Sequence, residues 1–537
     1  MSGEKAPKKQ SFLQGVAVLT AATIIVKLLG FIYKVPLQNI LQERGFGYFN
    51  TAYDVYNVLL MISTTGLPVA VSRMISQAQA LENYAQIRKI YSVSMKVFLT
   101  IGVIGTLVML VFCKPLSVMV TTNENSWAAI AALSPCVLLI CIVSAHRGFF
   151  QGQSNMIPTA VSQVLEVVTK LVVGMIAAVA FLKATASISL AAGGAILGVT
   201  ASCLVSAVYL FSCFRKSYRQ LPETGDTPKS FGATAKELLK IAVPITVSST
   251  ILSIITSLSS KIYMGRLLDS GISQAAADTM RGVHVMTQTI YNMPCAFITP
   301  ITVSIIPAIT AQITLKKFRE TRMTEESAIR ITGIFAMPCA VGLVCLARPI
   351  TALLGGYTGE NLVLAGQMMT VLGVSVVFNA LVLVTTAIMQ AHGNVNRPVV
   401  NMLIGGIIKL IIVYVLTGNR AIGIVGTPIG TLTSYVVICI LNVFSIRSLV
   451  ADPPRMIVNL IRPFLAACVM GAAVLLSWRG LSALGLTGLT GRVVLAGVPV
   501  AIGFVVYVLA AIVLKVVTRE DCLLLPKGEK IAKLLKL

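Results

Sequence analysis

Apolar stretches long enough to cross a lipid bilayer recur along this chain from residue 12 to residue 516. A crossing helix needs about 20 predominantly apolar residues, and about fourteen such stretches can be placed. They fall near 12–41, 52–78, 90–113, 127–149, 158–182, 187–211, 237–264, 282–311, 328–347, 362–389, 398–417, 422–446, 457–478 and 492–516. The chain is therefore predicted to be an all-α integral membrane protein with about 14 transmembrane helices. Composition agrees: 56% of the 537 residues are hydrophobic and 12% are charged. A soluble chain of this length would need several cores and a far more polar surface.

The net charge is +24, yet the basic residues sit between apolar stretches rather than on an aromatic-studded face. That excludes a nucleic-acid partner and leaves membrane lipids as the natural surroundings. The eleven cysteines lie mostly inside apolar stretches (Cys136, Cys141, Cys203, Cys295, Cys345, Cys439) and read as small packing residues. His146, His284 and His392 are far apart. No HExxH, P-loop, GxGxxG or GxSxG motif occurs, so no metal, nucleotide or other cofactor is expected, and no enzyme activity. The apolar run after Lys8 and Lys9 continues past Lys27 toward Leu41, too long for a signal-peptide core, and reads as the first retained span.

Lysine and arginine set the orientation. One alternating set of connections carries most of them: the N-terminus, Arg88-Lys89, Arg215–Lys240, Lys316–Arg322, Arg447 with Arg455, and the tail from Lys527 to Lys536. The other set carries single residues such as Arg44, Lys183, Arg348 and Arg420. Both termini are predicted to lie on the cytoplasmic side of the cell membrane.

The chain also repeats itself. Pro68, Val71 and Ser72 match Pro300, Val303 and Ser304; Lys114-Pro115-Leu116 matches Arg348-Pro349-Ile350; Phe150-Gln151 with Asn155 and Pro158 matches Met389-Gln390 with Asn394 and Pro398. An even-numbered repeating unit keeps its topology, so two parallel six-helix lobes are expected. They occupy 1–211 and 237–446, with a cytoplasmic linker at 212–236. Two further helices follow at 447–516, and a basic tail at 517–537.

Charges inside apolar stretches are costly, roughly 2.5–3.5 kcal/mol at mid-bilayer, and usually face a partner or a watery cavity. The basic ones singled out are Lys27, Lys34, Arg73, Lys96, Lys170, Lys261, Lys409 and Arg462; the acids are Asp54 and Glu166. Arg73, Lys96 and Arg462 lie near predicted cytoplasmic ends, and Lys34 and Lys261 near outer ends, where snorkelling to headgroups is the plain alternative. Lys27, Lys170 and Lys409 lie deeper, and for them the alternatives are a cavity lining or a structural ion pair. Glu166 is four residues before Lys170 and so able to pair with it on one helix face. This excess of cation over acid favours an anionic cargo. Pro68, Pro244, Pro294, Pro300 and Pro307 interrupt spans and are candidate bending points.

The segment Arg147–Lys170, RGFFQGQSNMIPTAVSQVLEVVTK, is similar to the signature of the polysaccharide-biosynthesis and stage V sporulation protein B group. That group lies within the multidrug/oligosaccharidyl-lipid/polysaccharide exporter superfamily and includes MurJ-type lipid II flippases. Val26–Phe31 (VKLLGF) resembles the family's first-helix motif, with Lys27 where a basic residue is usual. The motif then departs from the family's better-known form: Tyr33-Lys34 stands where an Arg-Asp pair is common. The resemblance implies two lobes in a V around a cationic cavity, a lipid-tail groove at the last two helices, and Lys27 meeting the headgroup. It implies flipping of an undecaprenyl-pyrophosphate-linked glycan such as lipid II from the cytoplasmic to the outer leaflet. Lys170 and Arg73 would assist Lys27, and membrane potential or an ion gradient would drive the cycle. Another lipid-linked glycan, for an exopolysaccharide or spore cortex, is one alternative cargo; a cation-coupled multidrug exporter is another, disfavoured by the shortage of buried acids. Cell-wall synthesis machinery is an implied partner.

Overall fold

The computed structural model describes residues 12–61, 67–121, 124–153, 155–222, 227–394, 396–450, 452–485 and 488–517. Every regular element among them is helical. In chain order they are α1 (Phe12–Met61), α2 (Leu67–Ala80), α3 (Tyr84–Val111), α4 (Cys113–Thr121), α5 (Trp127–Gly152), α6 (Ile157–Thr185), α7 (Ile188–Arg219) and α8 (Phe231–Asp269). There follow α9 (Gln274–Thr314), α10 (Phe318–Cys345), α11 (Ala347–Gly355), α12 (Gly359–Ala391), α13 (Asn396–Thr417), α14 (Gly426–Leu449), α15 (Met456–Ser482) and α16 (Gly488–Val513), with a 3₁₀ turn at Gly423–Val425 before α14. Ten of these are long and apolar enough to cross a membrane. The 50, 39 and 41 residues of α1, α8 and α9 each exceed what one crossing needs. The chain is a multi-pass membrane protein. Residues 1–11 and the tail from 518 lie outside the described residues.

The expected connection at 42–51 is not a loop. A 50-residue helix would reach roughly 75 Å at 1.5 Å per residue, more than twice the bilayer's hydrocarbon depth. The break falls at one residue, Gln42, whose φ of 55° and ψ of −176° turn the backbone out of the helical region. Beyond it the chain is helical again because its polar look is misleading. Phe46 and Phe49 are buried and stack with ring centroids 6.1 Å apart; Phe49 also meets Tyr53 at 5.2 Å and Tyr33 at 6.4 Å. Gly45 lies so close to Ile188 of α7 that a Cβ there would come within 2.7 Å of Ile188 Cγ2.

Two short helices were not anticipated, because nine residues are too few to span. They follow the repeat. Tyr84–Val111 and Phe318–Cys345 have 28 residues each, Cys113–Thr121 and Ala347–Gly355 nine each; 318 follows 84 by 234 positions, as 347 follows 113.

Two compact units divide the chain, Met1–Gly265 and Arg266–Leu537. In the first, α6 and α7 pack so tightly that a Cβ on Gly198 would collide with the backbone of Gly174 and stand 3.2 Å from the carbonyl oxygen of Lys170. Without a hydrophobic drive between helices in lipid, such small-residue contacts are what lets them associate. In the second unit a Cβ on Gly430 of α14 would stand 2.7 Å from Val413 Cγ2 and likewise 3.2 Å from the carbonyl oxygen of Lys409 on α13. The two deep lysines thus occupy matching helix crossings.

Of the expected linker, only 220–230 falls between helices. Its described parts are tied to the first unit: Arg88 donates to the Leu221 carbonyl at 2.7 Å, and the Lys229 amide to Gln86 Oε1 at 2.8 Å. In the second unit the last two helices are fastened to α10. Arg322 bonds both Glu326 and Asp452, Arg330 donates to Asn459 Oδ1 at 2.8 Å, and the Tyr507 hydroxyl donates to the Ile334 carbonyl at 2.8 Å.

Gly198→Leu forces α6 and α7 apart and is expected to cost roughly 1–3 kcal/mol or more, read as a lowered thermal midpoint in detergent. Gly497→Ala, which meets nothing within 4 Å, leaves the midpoint in place. The hydrogen bond from Arg322 holds the Asp452 carboxyl below its usual 3.8. Stability from this pair is therefore present above that value and lost as pH falls through the depressed one. Wild type and Asp452→Asn should differ in thermal midpoint at neutral pH and converge in acid.

Candidate anion site in the first unit

α6 presents Ser162, Glu166, Lys170 and Gly174 at four-residue spacing, so the four share one face. Pro158 opens this helix, where its fixed φ suits the first turn and its missing N–H loses nothing. Tyr33 of α1 and Arg147 of α5 contact the stripe, and Lys34, beside Tyr33, lies within electrostatic reach of Lys170 on it and of Asp54 from beyond the Gln42 break.

Lys170 Nζ lies over the Tyr33 ring, 5.7 Å from its centroid. The ring is buried because Gly174, one turn along α6, gives its hydroxyl room: a Cβ on Gly174 would come within 2.7 Å of the Tyr33 oxygen. A cation over an aromatic face gains about 0.5–2 kcal/mol without being neutralised. Lys34 is half-buried and within electrostatic reach of both Lys170 and Asp54. Asp54 is itself tethered to α8, accepting from Ser260 Oγ at 3.2 Å, while its backbone carbonyl accepts from Ser257 Oγ at 3.0 Å.

Glu166 closes no hydrogen bond or ion pair with Lys170, as the spacing along α6 allowed, although the two stay within electrostatic reach. Its Oε2 accepts from Arg147 Nη2 at 2.9 Å, and Arg147 Nε also donates to Ser162 Oγ at 3.1 Å. The guanidinium fork reaches two acceptors on one helix face, which a lysine ammonium matches less well. Arg147 was missed because it ends its apolar stretch. The signal was available: folding the chain back between Gly152 and Ile157 sets Arg147 opposite Ser162 and Glu166. Lys34, for which snorkelling to the headgroups was the plain alternative, lies within electrostatic reach of Lys170 and Asp54 in this cluster.

Of the other candidates, Lys27 is on α1, and its side chain lies outside the described residues. Arg73 on α2 and Lys261 on α8 are exposed; among the described residues neither forms a hydrogen bond or ion pair. Lys409 belongs to the second unit, where it and Arg281 lie within electrostatic reach of His284. Arg281 is among the largest fully buried side chains. It too was missed, standing one residue before the expected span at 282–311.

Counting charges in the first-unit cluster, Arg147 and Glu166 cancel and Lys34 with Lys170 outweigh Asp54. Two half-buried ammonium groups with one shared acid suit a compact, multiply charged anion.

The family described as polysaccharide biosynthesis protein matches residues 12–312. Stage V sporulation protein B of Bacillus subtilis (strain 168) is 26% identical over 437 residues, spanning 81% of this chain and 83% of that protein. The lipid II flippase MurJ of the same organism is 24% identical over 415 residues, spanning 74% and 76%. Among solved structures, lipid II flippase MurJ in an inward closed conformation superposes with a TM-score of 0.63 at 14% identity, over 93% of this chain and 98% of that one. At that identity the likeness shows the fold.

If the cluster holds an anion, inorganic pyrophosphate raises the thermal midpoint of the detergent-solubilised protein. Ligand at 100 times its Kd adds about 2.7 kcal/mol. The shift is expected to shrink at least tenfold in apparent affinity in Lys170→Ala and to persist in Lys183→Ala, which lies at the far end of α6.

Proposed function

The chain belongs to the polysaccharide biosynthesis protein family, and from that premise we propose that it flips a polyprenyl-diphosphate-linked glycan, lipid II in the first instance, from the inner to the outer leaflet. The carrying observation is the Lys34–Lys170 cluster, whose nearest α6 carboxylate is held by Arg147. A diphosphate is compact, doubly charged and common to lipid-linked glycans, so it is the headgroup feature such a cluster would grip. Lys27, on the same helix as Lys34, is the proposed first contact, with Lys170 beneath and Arg73 and Lys261 as further cations near the path. Lys409 would serve the second unit in the corresponding place. Asp54 would hold Lys34 between cycles.

The working parts proposed are 1–211 and 237–446 as two lobes, 212–236 as their linker, and both termini on the cytoplasmic side. α15 and α16 (447–516) would carry the lipid tail. Their exposed apolar residues, Ile457, Leu476, Phe504 and Val513 among them, support this. The site would face each side of the membrane in turn. A potential negative inside favours expelling the anion, by about 2.3 kcal/mol per charge per 100 mV. It would also draw the vacated lysines back inward, which would reset the carrier.

The similarity to stage V sporulation protein B supports a second reading, in which the same diphosphate chemistry serves a different lipid-linked glycan. Rescue of a bacterium depleted of its own lipid II flippase separates the two. Wild type is expected to restore growth, and Lys27→Ala or Lys170→Ala at equal membrane levels to fail. Failure of well-expressed wild type would move the cargo to another diphosphate lipid. Full rescue by Lys27→Ala and Lys170→Ala together would end this account of capture.

A further inference from the structure

An acid four residues before a lysine on one helix is the favourable order for an intrahelical pair. Glu166 and Lys170 have that order and stay within electrostatic reach, yet the folded chain closes no ion pair between them. Glu166 Oε2 accepts from Arg147 Nη2 at 2.9 Å, across from α6 to α5. The pair is largely shielded, with side chains 15% and 29% exposed, so it is little screened by water or salt. Arg147 is locked in turn by Ser162, which accepts from its Nε and donates to the Thr159 carbonyl at 2.7 Å. Lys170 turns to the Tyr33 ring. That face attracts a cation but has no negative charge to give.

We infer that Arg147 is a positioning residue for anion capture: by bonding Glu166 it keeps that carboxylate from closing onto Lys170, and so leaves the Lys170 ammonium open to direct contact with a diphosphate. This rests on the reading that Lys170 meets the headgroup. Removing Arg147 alone leaves Glu166 without its cation. Glu166 then turns to Lys170, and a bound diphosphate has to displace a carboxylate one helical turn away.

The test uses the full-length protein in detergent and farnesyl diphosphate, a soluble polyprenyl diphosphate, with affinity read by calorimetry. Arg147→Gln is expected to weaken binding about tenfold. Arg147→Gln combined with Glu166→Gln is expected to recover to within about threefold of wild type, because the competing carboxylate is gone. Arg147→Lys, which keeps a cation opposite Glu166, is expected to lose little. If Arg147 only ties α5 to α6, or touches the diphosphate itself, the double variant binds no better than Arg147→Gln, and the inference is overturned. Thermal midpoints of all variants separate weak binding from poor folding; a double variant that is well folded yet weak counts against the inference. Failure of wild type to bind farnesyl diphosphate, or binding unchanged by Lys170→Ala, would sink the anion-site reading itself. Loss in Lys170→Ala with no loss in Arg147→Gln would sink only the role of Arg147.

Discussion

A bilayer offers no water to an unpaired backbone N–H or C=O, and each one left unpaired costs several kcal/mol. The regular elements among the described residues are accordingly all helices, and they associate by fit rather than by hydrophobic drive. Close backbone approach at glycine is the recurring solution. Gly198 lies against Gly174 and the Lys170 carbonyl, and Gly430 against Val413 and the Lys409 carbonyl. These crossings fix the α6–α7 and α13–α14 pairs. They also fix where each lysine leaves its helix, and Gly174 leaves room for the Tyr33 ring under Lys170. Packing and electrostatics are thus set by the same few residues.

The site's charge balance follows from a competition between two partners for one acid. Glu166 has a lysine one turn away on its own helix and an arginine across on α5. The arginine wins because its fork bonds Ser162 and Glu166 together. Had the lysine won, the charge left unengaged by Glu166 would sit on Arg147 of α5 instead of on Lys170 over the Tyr33 ring. Where the excess cation resides is decided by hydrogen-bond geometry, since the composition is the same either way.

Helix content and span positions were legible because twenty apolar residues in a row admit few alternatives. The deep lysines and the repeat were legible because both leave marks in single residues at fixed offsets. The Gln42 break was not. Glu43, Arg44 and Asn50 mimic a loop, while the Phe46–Phe49 stack and the Tyr33–Phe49 contact across the break, which bury this stretch, are not visible in the residue types. α4 and α11 escaped a search tuned to spanning length. Arg147 and Arg281 escaped it because a charge at the edge of an apolar run looks like an ordinary boundary residue. The Glu166–Lys170 spacing pointed to the wrong pair, because local spacing cannot show that a third charge arrives from another helix.

The most direct test of the central claim is the phosphorus–nitrogen dipolar coupling between a bound diphosphate lipid and the lysine side-chain nitrogens, measured by solid-state magnetic resonance in membranes. A lipid held by the cluster shows a short-range coupling to the Nζ of Lys170, assigned by its loss in Lys170→Arg. A lipid whose phosphates couple only to other lysines, with Lys170 silent, contradicts the site described above.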